Sequence, residues 1–192
     1  MTDKKKKIKG KVILDTGFFT ISALKSPGKS NQPPHYLLNT SDYVCIIAVL
    51  PDGRIPLVKQ YRPAIGGYTL ELPSGHIDGK ESPVTAANRE LLEETGILAT
   101  RTKLMCVMTP DTGRLTNQCW CCVSKKAKVV RPDSEHGIET ILVTPKELLQ
   151  MVKQGKIAHA LHVAPILMYL FLLKQKKTVR QRDYIKKPVS SS

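Results

Sequence analysis

Short apolar runs rich in β-branched residues, separated by Gly, Pro, Asn and Asp, predict β-strands over much of the chain. The stretch SPGKSNQPP divides the first two of these regions and predicts a loop. Pro51-Asp52-Gly53 lies between the apolar runs 44–50 and 55–61, and this arrangement predicts a hairpin. The other strand-like stretches are residues 12–24, 36–50, 69–72, 104–108, 118–123 and 138–143.

A helical pattern replaces the strand pattern after residue 82. Ser82 is a favourable N-cap, Pro83 suits the first helical position, and Gly96 suits the residue beyond the C-terminus. These signals predict a helix over residues 83–95.

Two further helices are predicted in the last third of the chain. Thr144-Pro145-Lys146-Glu147 is a capping box that opens a helix ending near Gly155. A third helix is predicted to begin at Pro165 and to bury the apolar residues 166–173. This order of strands and helices indicates an α+β fold, with helices against a mixed β-sheet.

Composition and charge limit the classes of protein to be considered. A chain of 192 residues with 41% hydrophobic and 24% charged residues fits one soluble globular domain. The net charge of +14 is concentrated at the ends, because residues 1–11 hold six lysines and residues 174–192 hold seven lysines and arginines, each with one aspartate. Tail-borne charge is typical of solvated tails, and nucleic-acid binding through them is the less favoured alternative.

Location and cysteine chemistry follow from similar features. The lysines at 4–7 precede a mixed segment instead of the apolar core of a signal peptide, so a cytoplasmic protein is expected. Residues 166–173 are too short for a membrane span of about twenty residues, and no membrane partner is expected. An odd number of cysteines without metal-ligand spacing indicates reduced thiols packed in strands. They are Cys45, Cys106, Cys119, Cys121 and Cys122.

Three glutamates on the first helix carry the main chemical signal. Glu90, Glu93 and Glu94 are spaced i, i+3 and i+4, so they project from one helix face, and the only basic residue in that turn is Arg89. Such a set is either a solvated acidic face or a site for a divalent cation. Carboxylate oxygens completed by water and phosphate are what Mg²⁺ or Mn²⁺ prefers.

The spacing of residues 75–97, GHIDGKESPVTAANRELLEETGI, favours the metal site. The probability that these residue types match at this spacing by chance is on the order of 10⁻⁹ per starting point. The segment resembles the complete signature of the Nudix hydrolase family. The matching positions are Gly75, Glu81, Arg89-Glu90-Leu91, Glu93-Glu94, Gly96 and Ile97.

Residues before the signature narrow the resemblance. Tyr61-Arg62-Pro63, Gly66-Gly67-Tyr68 and Glu71-Leu72-Pro73-Ser74-Gly75 are similar to ADP-ribose and nucleoside-diphosphate-sugar pyrophosphatases. The resemblance implies a Nudix α/β/α sandwich with N-terminal β-strands, as a homodimer in which those strands help build the partner's pocket. The expected parts are a basic tail (1–11), N-terminal strands and dimer element (12–40), hydrolase domain (41–175) and basic tail (176–192).

The resemblance also implies roles for the acidic residues. Glu90 and Glu94 would be the principal Mg²⁺ ligands, with Glu93 assisting and the backbone carbonyl of Ser74 completing the set. Glu93 and Glu94 therefore count among the catalytic residues as well as the metal ligands. Arg89 would order the site as a further catalytic residue.

Other residues are implied in substrate binding and proton transfer. Arg89 would pair with Glu81 or Glu93, and Arg62 would contact substrate phosphate through its guanidinium group. The general base is expected in the loop after the signature, with Glu135 favoured and Glu139 second.

The reaction implied is hydrolysis of the diphosphate of ADP-ribose or another nucleoside-diphosphate sugar, giving a nucleoside monophosphate and a sugar phosphate. Phe18 and Phe19 are candidates for stacking on the base. Thr112 stands where ADP-ribose pyrophosphatases have a proline, with Pro110 displaced nearby, so the sugar nucleotide stays open. The alternatives are an enzyme or binding protein acting on RNA 5′ ends, and an enzyme acting on other nucleotides such as dinucleoside polyphosphates or oxidised nucleotides.

Overall fold

The computed structural model describes residues 10–25, 32–131 and 137–185, with side chains as far as residue 175. Its strands are β1 Lys11–Asp15, β2 Thr20–Leu24, β3 His35–Asn39, β4 Tyr43–Ala48, β5 Ile55–Arg62, β6 Gly67–Glu71, β7 Ser74–His76, β8 Ile97–Thr100, β9 Lys103–Met108, β10 Cys119–Ser124, β11 Lys126–Val129 and β12 Ile138–Val143. Its helices are α1 Pro83–Thr95, α2 Pro145–Lys153 and α3 Ala160–Ile185.

The strands form four hydrogen-bonded groups. The central one has the order β7-β4-β10-β9, in which β4 and β10 are parallel and the other neighbours are antiparallel. The others are β12-β5-β6, β11-β8 and the N-terminal β1-β2-β3. The predicted mixed sheet is confirmed by the parallel pair beside antiparallel neighbours.

The central strand β4 separates two hydrophobic cores. Val44, Ile46 and Ala48 pack in the cluster that contains Ala86, Ala87 and Leu91 of α1. Cys45 and Ile47 face the opposite way, into the cluster that contains Leu148 of α2 and Ile166 of α3. Since successive side chains of a strand point to opposite faces, this one strand serves both helical layers. The α+β class and the α/β/α sandwich are thereby confirmed.

Helix α1 has the predicted bounds and caps. The Ser82 hydroxyl accepts a hydrogen bond from the Thr85 N–H at 3.1 Å, and Gly96 adopts a φ of 65° while its N–H donates to Leu92 O at 3.0 Å. A side chain at Gly96 would also meet the Arg131 backbone carbonyl. The helix that carries the glutamates is therefore fixed at both ends by local sequence.

The predicted hairpin around Gly53 is wrong. The turn itself forms, with a φ of 85° at Gly53 and a hydrogen bond from Leu50 N–H to Arg54 O of 3.0 Å. However, β4 pairs with β7 and β10, whereas β5 pairs with β6 and β12. Both strands are largely buried and have two neighbours each, so they diverge into separate sheets after the turn.

Helix α3 begins five residues before the predicted start. His159 O accepts from the N–H groups of His162 and Val163, and Pro165 lies inside the helix. Proline lacks an N–H, so the helix forgoes one backbone bond at this position. The apolar stretch that follows is only half covered, because Ile166 is buried whereas Phe171 is exposed.

In the described part of the chain, no helix is both long and apolar enough to cross a membrane. The five cysteines are free thiols within β4, β9 and β10. Cys121 is the register partner of Cys45 on one side and of Cys106 on the other. The predicted packing of thiols in strands is confirmed.

The N-terminal sheet is attached to the sandwich mainly through the loop after β9. His35 Nε2 lies 2.6 Å from Gly113 O, and the Leu38 N–H donates to Arg114 O at 2.8 Å. Its outermost strand, β1, leaves Val12, Ile13 and Leu14 about half exposed.

Candidate active site

The glutamates of α1 face the short strand β7. The Ser74 N–H donates to Glu94 Oε2 at 2.9 Å, and Glu94 is almost fully buried. A Cβ atom built on Gly75 would overlap the Glu90 carboxylate. The backbone of residues 74–75 therefore contacts both carboxylates, and only glycine lets Glu90 approach so closely.

Arg89 connects the acidic groups of this corner. Its guanidinium donates to Glu81 Oε1 at 2.7 Å, Glu90 Oε1 at 2.8 Å and Glu93 Oε2 at 3.0 Å. It also donates to the His76 carbonyl at 3.0 Å. These partners, Glu81 first, raise the pKa of Arg89 despite partial desolvation. The Arg89 side chain therefore links the loop before α1 to the helix itself.

Electrostatic strain at Glu90 indicates what the site can hold. Burial, followed by the neighbouring charges of Glu93 and Asp78, raises the pKa of Glu90, although Arg89 acts in the opposite direction. A divalent cation near Glu90 and Glu94 would relieve this repulsion.

The donor set fits a hard cation. Among the described residues, no three His, Cys, Asp or Glu side chains are grouped so that they could hold a metal ion, since Arg89 lies among the glutamates. Mg²⁺ requires fewer side chains, because one or two carboxylates suffice when waters and substrate phosphates complete its shell. Glu90, Glu94 and the carbonyl of Ser74 fit that requirement chemically.

Arg62, at the end of β5, lies near this corner. Its Nε donates to Glu71 Oε1 at 2.9 Å and its Nη2 donates to Glu71 Oε2 at 2.7 Å. Glu71, and more weakly Glu94, raise the pKa of Arg62. Arg62, the residue predicted to bind phosphate, is therefore anchored on β6. The charge of Glu94 on α1 also acts on it.

Two buried residues of this network were not predicted from the sequence. Glu71 is 2% exposed and accepts a 2.6 Å hydrogen bond from the Thr69 hydroxyl. Burial alone would raise its pKa, but hydrogen bonds from Arg62 and Thr69 bring it down to about 2. His162 is 1% exposed and its Nδ1 accepts the Leu72 N–H at 3.1 Å. A carboxylate placed inside an apolar strand was the available signal for Glu71, whereas His162 comes from a distant helix.

The other predicted site residues lie elsewhere or outside the described residues. Glu135 falls outside them. Glu139 is exposed on β12 and pairs with Lys59 at 3.0 Å. Phe18 is 90% exposed, and with Phe19 it lines a hollow of about 300 Å³ formed by the N-terminal strands and residues 39–41. Within one chain this hollow is lined by the N-terminal segment and not by the glutamates of α1.

Comparison with known proteins places this geometry in a family. A family model described as the NUDIX domain matches residues 40–162. An ADP-sugar pyrophosphatase of Mus musculus is 49% identical over 61 residues, covering 30% of this chain and 28% of that protein. An ADP-ribose pyrophosphatase of Bacillus subtilis is 27% identical over 121 residues, covering 61% of this chain and 65% of that protein.

An uncharacterized Nudix hydrolase of Schizosaccharomyces pombe is 47% identical over 79 residues, which is 40% of this chain and 38% of that protein. The chain thus spans less than two thirds of the length of each of these three relatives, from 28% to 65%. A crystal structure described as an ADP compounds hydrolase superposes with a TM-score of 0.74 at 17% identity, covering 88% of this chain and 94% of the other. That likeness supports the fold alone. With the family model matching well over half of its residues around the glutamate helix, the chain belongs to the Nudix family.

Proposed function

We propose that the protein is a Mg²⁺-dependent pyrophosphohydrolase that cleaves ADP-ribose or another nucleoside-diphosphate sugar into a nucleoside monophosphate and a sugar phosphate. The observation that carries this proposal is the corner in which Glu90 and Glu94 both contact the backbone of residues 74–75. The names of the pyrophosphatase relatives support the substrate class.

Glu90, Glu94 and the carbonyl of Ser74 would hold the cation, with Glu93 assisting at the exposed edge. A bound divalent cation neutralises phosphate oxygens and lowers the pKa of a bound water. Arg89 holds Glu81, Glu90 and Glu93 in place through its hydrogen bonds, so that the carboxylates do not have to reorganise when substrate binds.

Arg62 would bind the diphosphate. A guanidinium group has five N–H donors in a planar fork, and Glu71 uses one donor on Nε and one on Nη2. The three donors that Glu71 does not use suit phosphate oxygens. In the reaction, water adds to one phosphorus while the bridging P–O bond breaks, and a carboxylate takes the proton of the attacking water. Glu135 is proposed as that base, with Glu139 second.

The first test is a substrate panel with the full chain and Mg²⁺. ADP-ribose, ADP-glucose and UDP-glucose are incubated with the protein, together with a dinucleoside polyphosphate and a capped RNA, and products are separated by chromatography. We expect AMP or UMP with the matching sugar phosphate from the sugar nucleotides. Turnover of only the capped RNA or the dinucleoside polyphosphate would establish one of the alternatives instead.

The matched variants are Glu94→Gln and Asp52→Asn. Each removes one carboxylate charge, but Asp52 lies in an exposed turn and pairs with Arg54 only through a surface contact. Glu94→Gln should lose turnover by about a hundredfold or more while remaining folded, because it removes a metal ligand and not the hydrophobic core. Asp52→Asn should match the wild type. Equal activity of all three proteins would reject the assigned metal site.

We also propose a cytoplasmic homodimer built through the N-terminal sheet. The support for the dimer is that Val12, Ile13 and Leu14 on β1 are each about half exposed and that Phe18, in the loop after β1, is 90% exposed. Single exposed apolar residues are common, whereas a contiguous group marks an interaction surface. In such a dimer, we propose that Phe18 and Phe19 contribute to the partner's substrate pocket.

A further inference from the structure

Arg62 is held by the buried carboxylate of Glu71, which in turn contacts further residues. Glu71 accepts from Arg62 at both of its carboxylate oxygens, and its Oε1 also accepts from the Thr69 hydroxyl. Its Oε2 lies 3.9 Å from Nδ1 of His162, on the first turn of α3. The four residues form one continuous group between β5, β6 and α3, in which Thr69, Glu71 and His162 are buried and the Arg62 side chain is 40% exposed.

The protonation state of His162 follows from its contacts. Nδ1 accepts the Leu72 N–H, so the ring proton resides on Nε2. Burial, and then the neighbouring His159, lowers the pKa of His162 to about 3, so the ring is neutral at physiological pH. The His159 ring stacks on it with a centroid distance of 4.3 Å and an interplanar angle of 20°. A neutral ring forms no ion pair with Glu71, so Arg62 is the charged partner of that carboxylate.

His162 also controls the strand that leads into the metal corner. Leu72 precedes Pro73 and Ser74, and the Ser74 N–H donates to Glu94. The hydrogen bond from Leu72 to His162 therefore fixes the backbone two residues before the proposed carbonyl ligand. Through one imidazole, α3 therefore contacts two residues. One is Glu71, which holds Arg62, and the other is Leu72, which leads into the proposed metal-binding strand.

We propose that His162 is a positioning residue, acting through its hydrogen bond with Leu72 on the Ser74 ligand strand and through its 3.9 Å packing contact with Glu71 on the Arg62 guanidinium. The proposal rests on the function proposed above, since it concerns how that site is kept in register. It assigns a role to a residue of α3, which lies outside the signature segment and contributes no ligand or proton donor to the reaction.

The experiment compares two substitutions that separate acceptor chemistry from packing. His162→Leu keeps most of the ring's volume but removes the acceptor for the Leu72 N–H. His162→Asn retains an acceptor oxygen near the position of Nδ1 but leaves a larger cavity. A positioning role predicts that His162→Leu loses kcat/KM by about tenfold to a hundredfold, whereas His162→Asn stays within about threefold of the wild type.

A merely structural role predicts the reverse order. His162→Asn should then be the worse enzyme, because it leaves the larger cavity and the lower melting temperature. The melting temperatures of both variants are therefore measured with the kinetics. Activity that follows melting temperature, or equal activity in the two variants, would overturn the proposal.

A double-mutant cycle tests the contact between Glu71 and Arg62 on which the second arm of the proposal depends. Glu71→Gln is made in the wild type and in an Arg62→Lys background, because lysine cannot make the two-point contact. The proposal expects Glu71→Gln to raise KM about tenfold in the wild type and to have little further effect beside Arg62→Lys. Fully additive effects would show that Glu71 does not act through Arg62.

A readout independent of turnover completes the test. Amide hydrogen exchange at Leu72, followed by NMR, should be slow in the wild type and in His162→Asn but faster in His162→Leu. If the wild type hydrolyses none of the panel, the proposed function fails, and the exchange rates still decide whether His162 restrains the backbone at Leu72. If the wild type is active and Leu72 exchanges equally in all three proteins, only the positioning proposal is rejected.

Discussion

The corner formed by α1 and β7 differs from the N-terminal sheet in how completely its groups are satisfied within one chain. In the corner, Arg89 alone bonds three carboxylates and one carbonyl, and Ser74 is fixed on Glu94. In the N-terminal sheet, the apolar side chains of β1 remain half exposed, with Ile13 52% exposed. The polar groups of the first region are paired within one chain, whereas the second region leaves apolar side chains exposed, which fits the proposed dimer interface.

The strongest challenge to the corner is Gly75→Ala. The new Cβ would displace the Glu90 carboxylate, and a misplacement of about 1 Å can cost a hundredfold in rate. We expect kcat/KM to fall by about that factor or more, measured by product release at saturating Mg²⁺. Gly155→Ala is the control, because it strains a left-handed glycine at the end of α2, far from the glutamates. Equal losses in the two variants would show that general destabilisation, not Glu90, is responsible.

Acid should weaken the sandwich through His162. Its pKa is about 3 in the folded protein against an ordinary 6.5, so the unfolded chain binds more protons between these values. The contribution of His162 to the free energy of unfolding is therefore fully present above pH 6.5 and is lost as the pH falls toward 3. Two pH units, from 6.5 to 4.5, correspond to about 2–3 kcal/mol. Urea unfolding at both pH values measures this loss, which His162→Asn should largely abolish. If the free energy of unfolding of His162→Asn still falls by the same amount between pH 6.5 and 4.5, His162 is not the group responsible.

The N-terminal sheet is tested by Ile13→Glu. A charge at the centre of the exposed row should weaken self-association at least about tenfold, which is about 1.4 kcal/mol. Light scattering after size-exclusion chromatography measures the change. Val129→Glu is the matched control, because Val129 is similarly exposed on β11. A monomeric wild type, or equal dimerisation of both variants, would argue against the proposed interface.

The smallest effect is expected at the start of α1. Ser82→Ala removes the side-chain acceptor of the Thr85 N–H and should cost about 1 kcal/mol in the free energy of unfolding. Activity should change little, because Arg89 and β7 hold the glutamates from the other side. Chemical denaturation and steady-state kinetics measure the two quantities. A large kinetic loss would mean that the cap, and not Arg89, sets the position of the helix.

Local signals predicted the parts of the molecule that depend on local chemistry. The caps at Ser82 and Gly96 and the capping box at Thr144 form as expected, because each is decided within one turn of helix. The hairpin at Gly53 was wrong because strand pairing depends on distant partners. Helix α3 was predicted to start at Pro165, since a proline favours a first turn but does not exclude earlier ones.

The candidate site divides in the same way. The spacing of Glu90, Glu93 and Glu94 predicts their shared face directly, and their contact with Arg89 lies within the same helix. The partnership of Arg62 with Glu71 requires the register of β5 and β6, in which Arg62 pairs with Gly67. His162 could not have been placed there without the docking of α3, because ninety residues separate it from Leu72.

That separation has a consequence for the order in which the protein is made. During synthesis the signature segment leaves the ribosome before α3 does. A growing chain can therefore form α1 while the Leu72 N–H still lacks its imidazole partner. The strand that leads to Ser74 gains its last restraint only when the C-terminal helix docks. Chains that stop before residue 160 would contain every residue of the signature and yet lack the imidazole partner of Leu72.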